Sequence, residues 1–285
     1  AMDGSLDSLR VDGDVRCADA RAGTSRLTAR GVVGLTGGRS VRDLDLRLLP
    51  LQLATRSGAA GTRLPPLRGT VTGRLHADGT ARALRLTGTL HSANGGGSLS
   101  GGGLVRPAGS RTQYDVAFTL DALNAAAFSP RAPNTHLTGA LSARGRGFAP
   151  STAEAVVAAD LVGSRYDTIA ADRLVAQVAV ARGLLRADSV VVVAGGPTAR
   201  AAGTLGLVAE REGAMHVDVV VDSLGSLRRW LGTNDSTLAG SLSASGELRG
   251  SVQRLGAEGT VEGHDLVVRG HPAQRLGAML SSPDV

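Results

Sequence analysis

The chain has no lysine and few aromatic residues: all 31 of its basic residues are arginines, and Phe, Trp and Tyr make up 2% of 285 residues. Its interior must therefore be built mainly from Val, Leu and Ala. This composition fits an aliphatic surface shaped for a soft ligand, and it fits GC-rich codon usage equally well. A single cysteine, Cys17, excludes an intramolecular disulfide and a thiolate metal cluster.

Motifs for catalysis and for cofactor binding are also missing. The six histidines show no HExxH or other metal-ligand spacing, and no GxSxG nucleophile motif occurs. The glycines at 95–97 and 101–103 lack the spacing of a phosphate-binding loop, and Asp12-Gly13-Asp14 is predicted to be a turn, not a calcium loop. We therefore expect no enzymatic activity, no catalytic residue, no metal and no cofactor.

Charge and hydropathy exclude two further classes. The net charge is +6, but the arginines are scattered almost singly, which favours a solvated surface over a nucleic-acid interface. No apolar run reaches the 18 residues or so that a transmembrane helix needs. The abrupt start of the chain predicts a piece cut from a longer protein.

Alternation of apolar and polar residues dominates what is present. Asp115 to Asp121 reads DVAFTLD, and Met215 to Asp222 reads MHVDVVVD, the pattern of strands with one buried face. Two segments, 121–128 and 222–231, each begin with an Asp suited to cap a short helix. The sequence thus predicts an all-β fold with a few short helices.

An internal repeat organises these elements. LTGALSARG at 137–145 returns as LAGSLSASG at 238–246, and the two Asp-led segments have the same separation of 101 residues. We predict one elongated repeating segment over 1–285, with repeats at about 114–214 and 215–285 (partial) and degenerate copies in 44–113.

A glycine recurs on the predicted inner face of the repeated strands. Glycine weakens a strand, so an offsetting role is expected: it lets the sheet curl, opens space for another group, or accommodates a close neighbour. The proposed curling positions are Gly73, Gly88, Gly139 and Gly240. The predicted architecture is an elongated, curled antiparallel sheet that forms an open, taco-like hydrophobic groove.

The apolar positions of the alternating strands supply the predicted groove lining. The lining set comprises Leu84, Leu86, Val116, Phe118, Leu120, Leu137, Leu141, Leu174, Val178, Val217, Val219, Val221, Leu238 and Leu242.

From Leu44 onward the chain resembles the AsmA-like and TamB proteins of the Gram-negative envelope. The resemblance lies in VAFTLDALN, the short segment after it, LTGALSARGRG and the following run of degenerate strands. It implies a periplasmic β-groove that carries phospholipid between the inner and outer membranes, with acyl chains as ligands. It also implies an N-terminal inner-membrane anchor, which this sequence lacks, and an outer-membrane barrel partner such as TamA.

The expected function is therefore a lipid-conducting groove. The alternatives are an envelope assembly factor that helps to insert outer-membrane barrels, and a surface β-solenoid adhesin.

Overall fold

The computed structural model describes the chain except residues 1, 20–22, 37, 54–67, 131, 229–236, 269–270 and 283–285. The fold is all-β: the 17 described strands belong by hydrogen bonding to one sheet, and each pair of consecutive strands with a resolved register is antiparallel. This confirms the predicted all-β fold and its antiparallel sheet. The chain forms two compact units, Ala1–Gly147 with Ser164–Ile169, and Phe148–Gly163 with Ala170–Val285.

The first unit is a meander in which each strand from β1 to β9 pairs with the next. Its strands are β1 (Met2–Ser5), β2 (Ser8–Asp19), β3 (Gly23–Gly34), β4 (Ser40–Gln52), β5 (Thr70–Thr80), β6 (Ala83–Ser92), β7 (Ser98–Arg106), β8 (Gln113–Leu123) and β9 (Thr135–Arg146). Strand β10 (Glu154–Tyr166) has residues in both units.

The second unit continues the same pattern from β11 to β17. Its strands are β11 (Ile169–Ala181), β12 (Leu184–Val193), β13 (Thr198–Gly206), β14 (Gly213–Val221), β15 (Ala239–Ser251), β16 (Arg254–Val268) and β17 (His271–Ser282). Short 3-10 helices lie at Gly109–Arg111, Ala125–Ala127 and Leu224–Leu227.

The prediction of two-turn helices capped by aspartate was wrong. Strand β8 continues to Leu123, beyond the supposed cap Asp121, and only the three-residue 3-10 helix Ala125–Ala127 follows. Its cap is Asn124, whose Oδ1 accepts hydrogen bonds from the backbone N–H groups of Ala126 (3.0 Å) and Thr135 (3.1 Å). An alanine-rich segment this short has too few intrahelical hydrogen bonds to sustain a helix. The hydrogen bonds between β8 and β9 therefore keep the chain extended as far as Leu123.

In the second repeat, the 3-10 helix Leu224–Leu227 begins after Ser223, which makes no side-chain capping bond. Asp222 is therefore not the cap there either. The end of the predicted helix, 229–231, lies outside the described residues. The order strand, 3-10 helix, strand nevertheless recurs as β8 to β9 and as β14 to β15, at the spacing of the sequence repeat.

The Asp12-Gly13 turn was also a wrong prediction. Both residues lie in the middle of β2, where Asp12 is opposite Arg30 and Gly13 is opposite Ala29 on β3. The ladder between β2 and β3 runs without interruption from Leu9 to Asp19, and this long-range pairing is what the dipeptide pattern does not reveal. Asp12 and Asp14 pair with arginines on β3.

A hydrophobic cluster packs one margin of the second unit. Its four buried residues are Val221 at the end of β14, Leu224 of the 3-10 helix, Leu238 directly before β15, and Leu266 of β16. Val219, Leu227 and Leu242 pack against them. The 3-10 helix therefore serves to bring Leu224 over the end of the sheet.

Candidate functional site

The strand register aligns apolar residues of the first unit into continuous rows on one sheet face. Directly opposed residues of an antiparallel pair point to the same face. One row runs Leu46, Leu75, Gly88, Gly101, Phe118 and Leu141, and its neighbour runs Leu48, Gly73, Leu90, Leu99, Leu120 and Gly139. We call this surface, together with its counterpart in the second unit, the apolar face.

The second unit has the same organisation with smaller residues. One row contains Leu174, Val192, Ala199, Val219, Ala244, Val261 and Ala278, and the next contains Ala176, Val190, Ala201, Val217, Gly246 and Gly259. Each row crosses at least six strands without a charged side chain. In each unit the aliphatic residues of these rows therefore share one face of the strands.

Burial varies along each strand of the apolar face. On β14, Met215 and Val221 at the two ends are buried, whereas Val217 and Val219 between them are half-buried. On β5, Val71 and Ala77 are buried, and the two inward positions between them are half-buried. We call the two central rows of each unit the apolar strip; its residues are half-buried apart from the buried Leu48 and Leu120 and the exposed Gly101 and Ala278. Two rows correspond to roughly 14 Å along the strand.

Most of the predicted lining residues share the apolar face, but three of them are buried. By register, six of the seven predicted in the first unit share the apolar face, and Leu137 follows on β9, opposite Leu123 beyond a β-bulge. In the second unit, Leu174, Val178, Val217, Val219 and Leu242 share it. Leu120, Val221 and Leu238 are at most 8% exposed, so they offer little surface to a ligand.

Sequence reasoning missed the small partners in these rows. Gly101, Ala199, Ala201 and Ala244 occupy the same face as the predicted leucines and valines. In the sequence they are recognisable only as Ala or Gly at every second position of a strand. Large apolar residues alone do not indicate them.

The recurrent glycines lie where neighbouring backbones come close. A Cβ added at Gly73 would lie 2.1 Å from the carbonyl oxygen of Thr89, and one added at Gly88 would lie 2.2 Å from that of Arg74. At Gly240 the carbonyl oxygen of Asp265 would be 2.6 Å away. Close approach of the adjacent strand therefore explains glycine at these three positions. Curling of the groove by the four glycines stays a prediction.

The opposite face is polar and carries cross-strand ion pairs. Arg26 Nε lies 2.9 Å from Asp14 Oδ2, and Arg144 Nη2 lies 2.7 Å from Asp115 Oδ2. The hydrogen bond from Arg26 holds the pKa of the Asp14 carboxyl below its ordinary value. Both pairs are solvent-exposed and contribute little to stability. We call this surface the polar face.

The described cavities open over the polar face. In the first unit an open cavity of about 700 Å³ is lined by polar-face residues of β2 to β6 that include Asp14, Arg47, Arg74 and His76. In the second unit a cavity of about 440 Å³ is lined mainly by polar-face residues of β13 to β16. Any ligand of the apolar face would thus bind on a half-buried strip, whereas these cavities suit polar ligands.

His76 provides a test of the polar-face geometry. Its Nδ1 lies 2.9 Å from Asp45 Oδ1, and this hydrogen bond raises the His76 pKa above its ordinary value. We expect NMR titration to give a His76 pKa that falls in Asp45→Asn. Since the folded-state pKa is raised, the stability from this pair is fully present below about pH 6.5 and is lost as the pH rises through the folded pKa. An unchanged His76 pKa in Asp45→Asn would contradict this geometry.

Groups of three or more His, Cys, Asp or Glu side chains that could hold a metal ion do not occur among the described residues. Across the same part of the chain, no helix is both long and apolar enough to cross a membrane. Comparison of the chain with protein-family models, with curated proteins and with solved structures finds no match. The sites must therefore be interpreted from their own chemistry.

Proposed function

We propose that the chain is a segment of a periplasmic groove that binds phospholipid acyl chains on its apolar face and conducts them between the inner and outer membranes. The observation that carries this proposal is the alignment of uncharged, aliphatic rows across consecutive strands of each unit. The resemblance to AsmA-like and TamB proteins supports the periplasmic compartment and phospholipid as the ligand. The protein binds and carries its ligand without catalysis.

The energetics favour an acyl chain as the ligand. Each methylene removed from water is worth about 0.8 kcal/mol, so two chains with about 30 methylenes represent roughly 25 kcal/mol that must stay out of solvent. A row that crosses six strands at about 4.8 Å spacing extends roughly 24 Å. The apolar strip can therefore cover a large part of an acyl chain while a headgroup remains in water.

The lack of strongly distinctive positions along the strip favours movement over tight binding. Its rows in the second unit contain only Leu, Val, Ala and Gly, none of which can form a directional side-chain bond. Neighbouring positions should then hold a methylene chain with similar free energy. This property distinguishes a conduit from a specific lipid receptor.

Val217 and Val220 provide a matched test on one strand. Val217 lies on the apolar strip between Ala201 and Gly246, whereas Val220 lies on the polar face and is 37% exposed. We expect Val217→Glu to reduce co-purified phospholipid on the order of tenfold or more, because a carboxylate cannot be desolvated against an acyl chain. Val220→Glu should retain the lipid. Lipid extraction followed by mass spectrometry measures both.

The proposal fails if the wild-type chain carries no phospholipid, or if the two variants lose it equally while both remain folded by circular dichroism. Photocrosslinking from position 217 separates the alternatives. Crosslinks to acyl chains support conduction, whereas crosslinks to outer-membrane proteins favour an assembly factor that acts on unfolded strands.

A further inference from the structure

Two arginines stand directly opposite each other on the polar face of the first unit. Arg47 of β4 is the register partner of Arg74 on β5. Directly opposed residues have Cβ atoms about 4.5–5.5 Å apart, and like charges in this position destabilise a sheet. Among the described residues, neither arginine has an ion-pair or hydrogen-bond partner. The arrangement costs stability in the free protein.

The same row adds a hydroxyl on each side of the arginine pair. Thr28 of β3 is opposite Arg47, and Thr89 of β6 is opposite Arg74. Both threonines are half-buried, and all four residues line the open cavity of about 700 Å³. The row thus presents two guanidinium groups flanked by two hydroxyls to one solvent-filled space.

In the neighbouring row of the polar face, residues of opposite charge stand opposite each other. There Asp12, Arg30, Asp45 and His76 alternate in charge across β2 to β5. Arg30 Nη2 lies 3.0 Å from Asp12 Oδ2, and His76 bonds to Asp45. The acids that line the cavity are therefore engaged with other cations: Asp12 with Arg30, Asp45 with His76, and Asp14, which stands opposite Thr28, with Arg26. Arg47 and Arg74 are left without a carboxylate partner among the described residues.

We propose that Thr28, Arg47, Arg74 and Thr89 form a binding site for a phosphoryl oxyanion. Guanidinium groups bind phosphate oxygens through charge-assisted, bidentate hydrogen bonds, and hydroxyls can donate to the remaining oxygens. An anion between the two arginines also removes their mutual repulsion. The site lies on the face opposite the apolar rows, so it is independent of acyl-chain binding. The phosphoryl group belongs either to a small phosphate compound or to a lipid headgroup at a membrane surface.

Arg47→Glu separates binding from folding. It replaces the opposed like charges with an opposed Glu and Arg, so the thermal midpoint of the free protein should not fall. Titration with inorganic phosphate, at constant ionic strength because exposed charges are screened, should shift the Thr28 and Thr89 amide resonances of the wild type. The affinity should drop on the order of tenfold or more in Arg47→Glu. The double variant Arg144→Gln with Arg173→Gln removes two paired arginines of other polar-face positions and should bind phosphate like the wild type.

Vesicles distinguish the two sources of the phosphoryl group. Binding of the wild type, but not of Arg47→Glu, to phosphatidylcholine vesicles that contain phosphatidic acid supports a headgroup as the ligand. Phosphate binding without vesicle binding supports a small phosphate compound. The proposal is overturned if inorganic phosphate leaves the Thr28 and Thr89 resonances unchanged, or if Arg47→Glu binds phosphate as tightly as the wild type. Neither result depends on whether the apolar face carries lipid.

Discussion

Replacing Leu224 with alanine is expected to lower the free energy of unfolding of the second unit by about 2–5 kcal/mol. The Leu224 side chain is 7% exposed and packs in a cluster with Val221, Leu238 and Leu266. Alanine would leave a cavity among these side chains. It would also weaken the contact that holds the 3-10 helix against the sheet. The loss should exceed that of most single substitutions elsewhere in the unit.

Leu276→Ala is the matched control, since Leu276 on β17 is 54% exposed. We expect it to change stability by about 0.5 kcal/mol or less. Urea unfolding followed by circular dichroism should show a lower midpoint for Leu224→Ala alone. Amide hydrogen exchange should become faster in β14, β15 and β16. Equal midpoints for the two variants would show that the cluster does not stabilise the unit.

Replacing Gly73 with valine should destabilise the first unit by about 3 kcal/mol or more. Gly73 has a φ of +152°, and an added Cβ would lie 2.1 Å from the Thr89 carbonyl oxygen and 3.0 Å from the Leu90 Cα. The obstacle is backbone of the neighbouring strand, which cannot rotate away as a side chain can. Strands β5 and β6 would have to separate to admit the new side chain.

Gly13→Val tests whether this cost arises from the local contact or from loss of glycine itself. Gly13 also lies in a strand, but nothing is within 4 Å of a Cβ added there. Valine should be tolerated and should slightly stabilise β2, because glycine weakens strand interiors. Thermal unfolding of both variants decides the question. A similar loss in both would refute the close-approach explanation.

Alternation along the strands was sufficient to predict the all-β fold and the face of most lining residues. DVAFTLD and MHVDVVVD carry that information locally, since a period of two fixes which side chains share a face. Leu86 and Val116 could be assigned to the face of the other apolar residues of their strands without knowledge of their partners, and their role in lining a groove stays a prediction. The same logic failed for the Asp-led helices, because Asp and Ala in a short segment favour helix only when no ladder competes.

Register could not be predicted, and the polar-face site depends on it. Arg47 and Arg74 are separated by 26 residues that include 54–67, and no local pattern shows that they are opposed. The same applies to Thr28 and Thr89, which meet the arginines only through two further strand pairs. Cross-strand pairs follow from turn lengths and bulges, which dipeptides such as Asp12-Gly13 did not indicate correctly.

The alternation of Val and Ala from strand to strand in the second unit gives the apolar face a corrugated relief. Val192, Val219 and Val261 stand on β12, β14 and β16, with Ala199 and Ala244 on the strands between them. Valine side chains therefore recur about every 9.6 Å along this row, and the smaller alanine side chains lie between them. A hydrocarbon chain laid along the row would meet the same contact at every second strand, so a shift by two strands would leave its surroundings nearly unchanged.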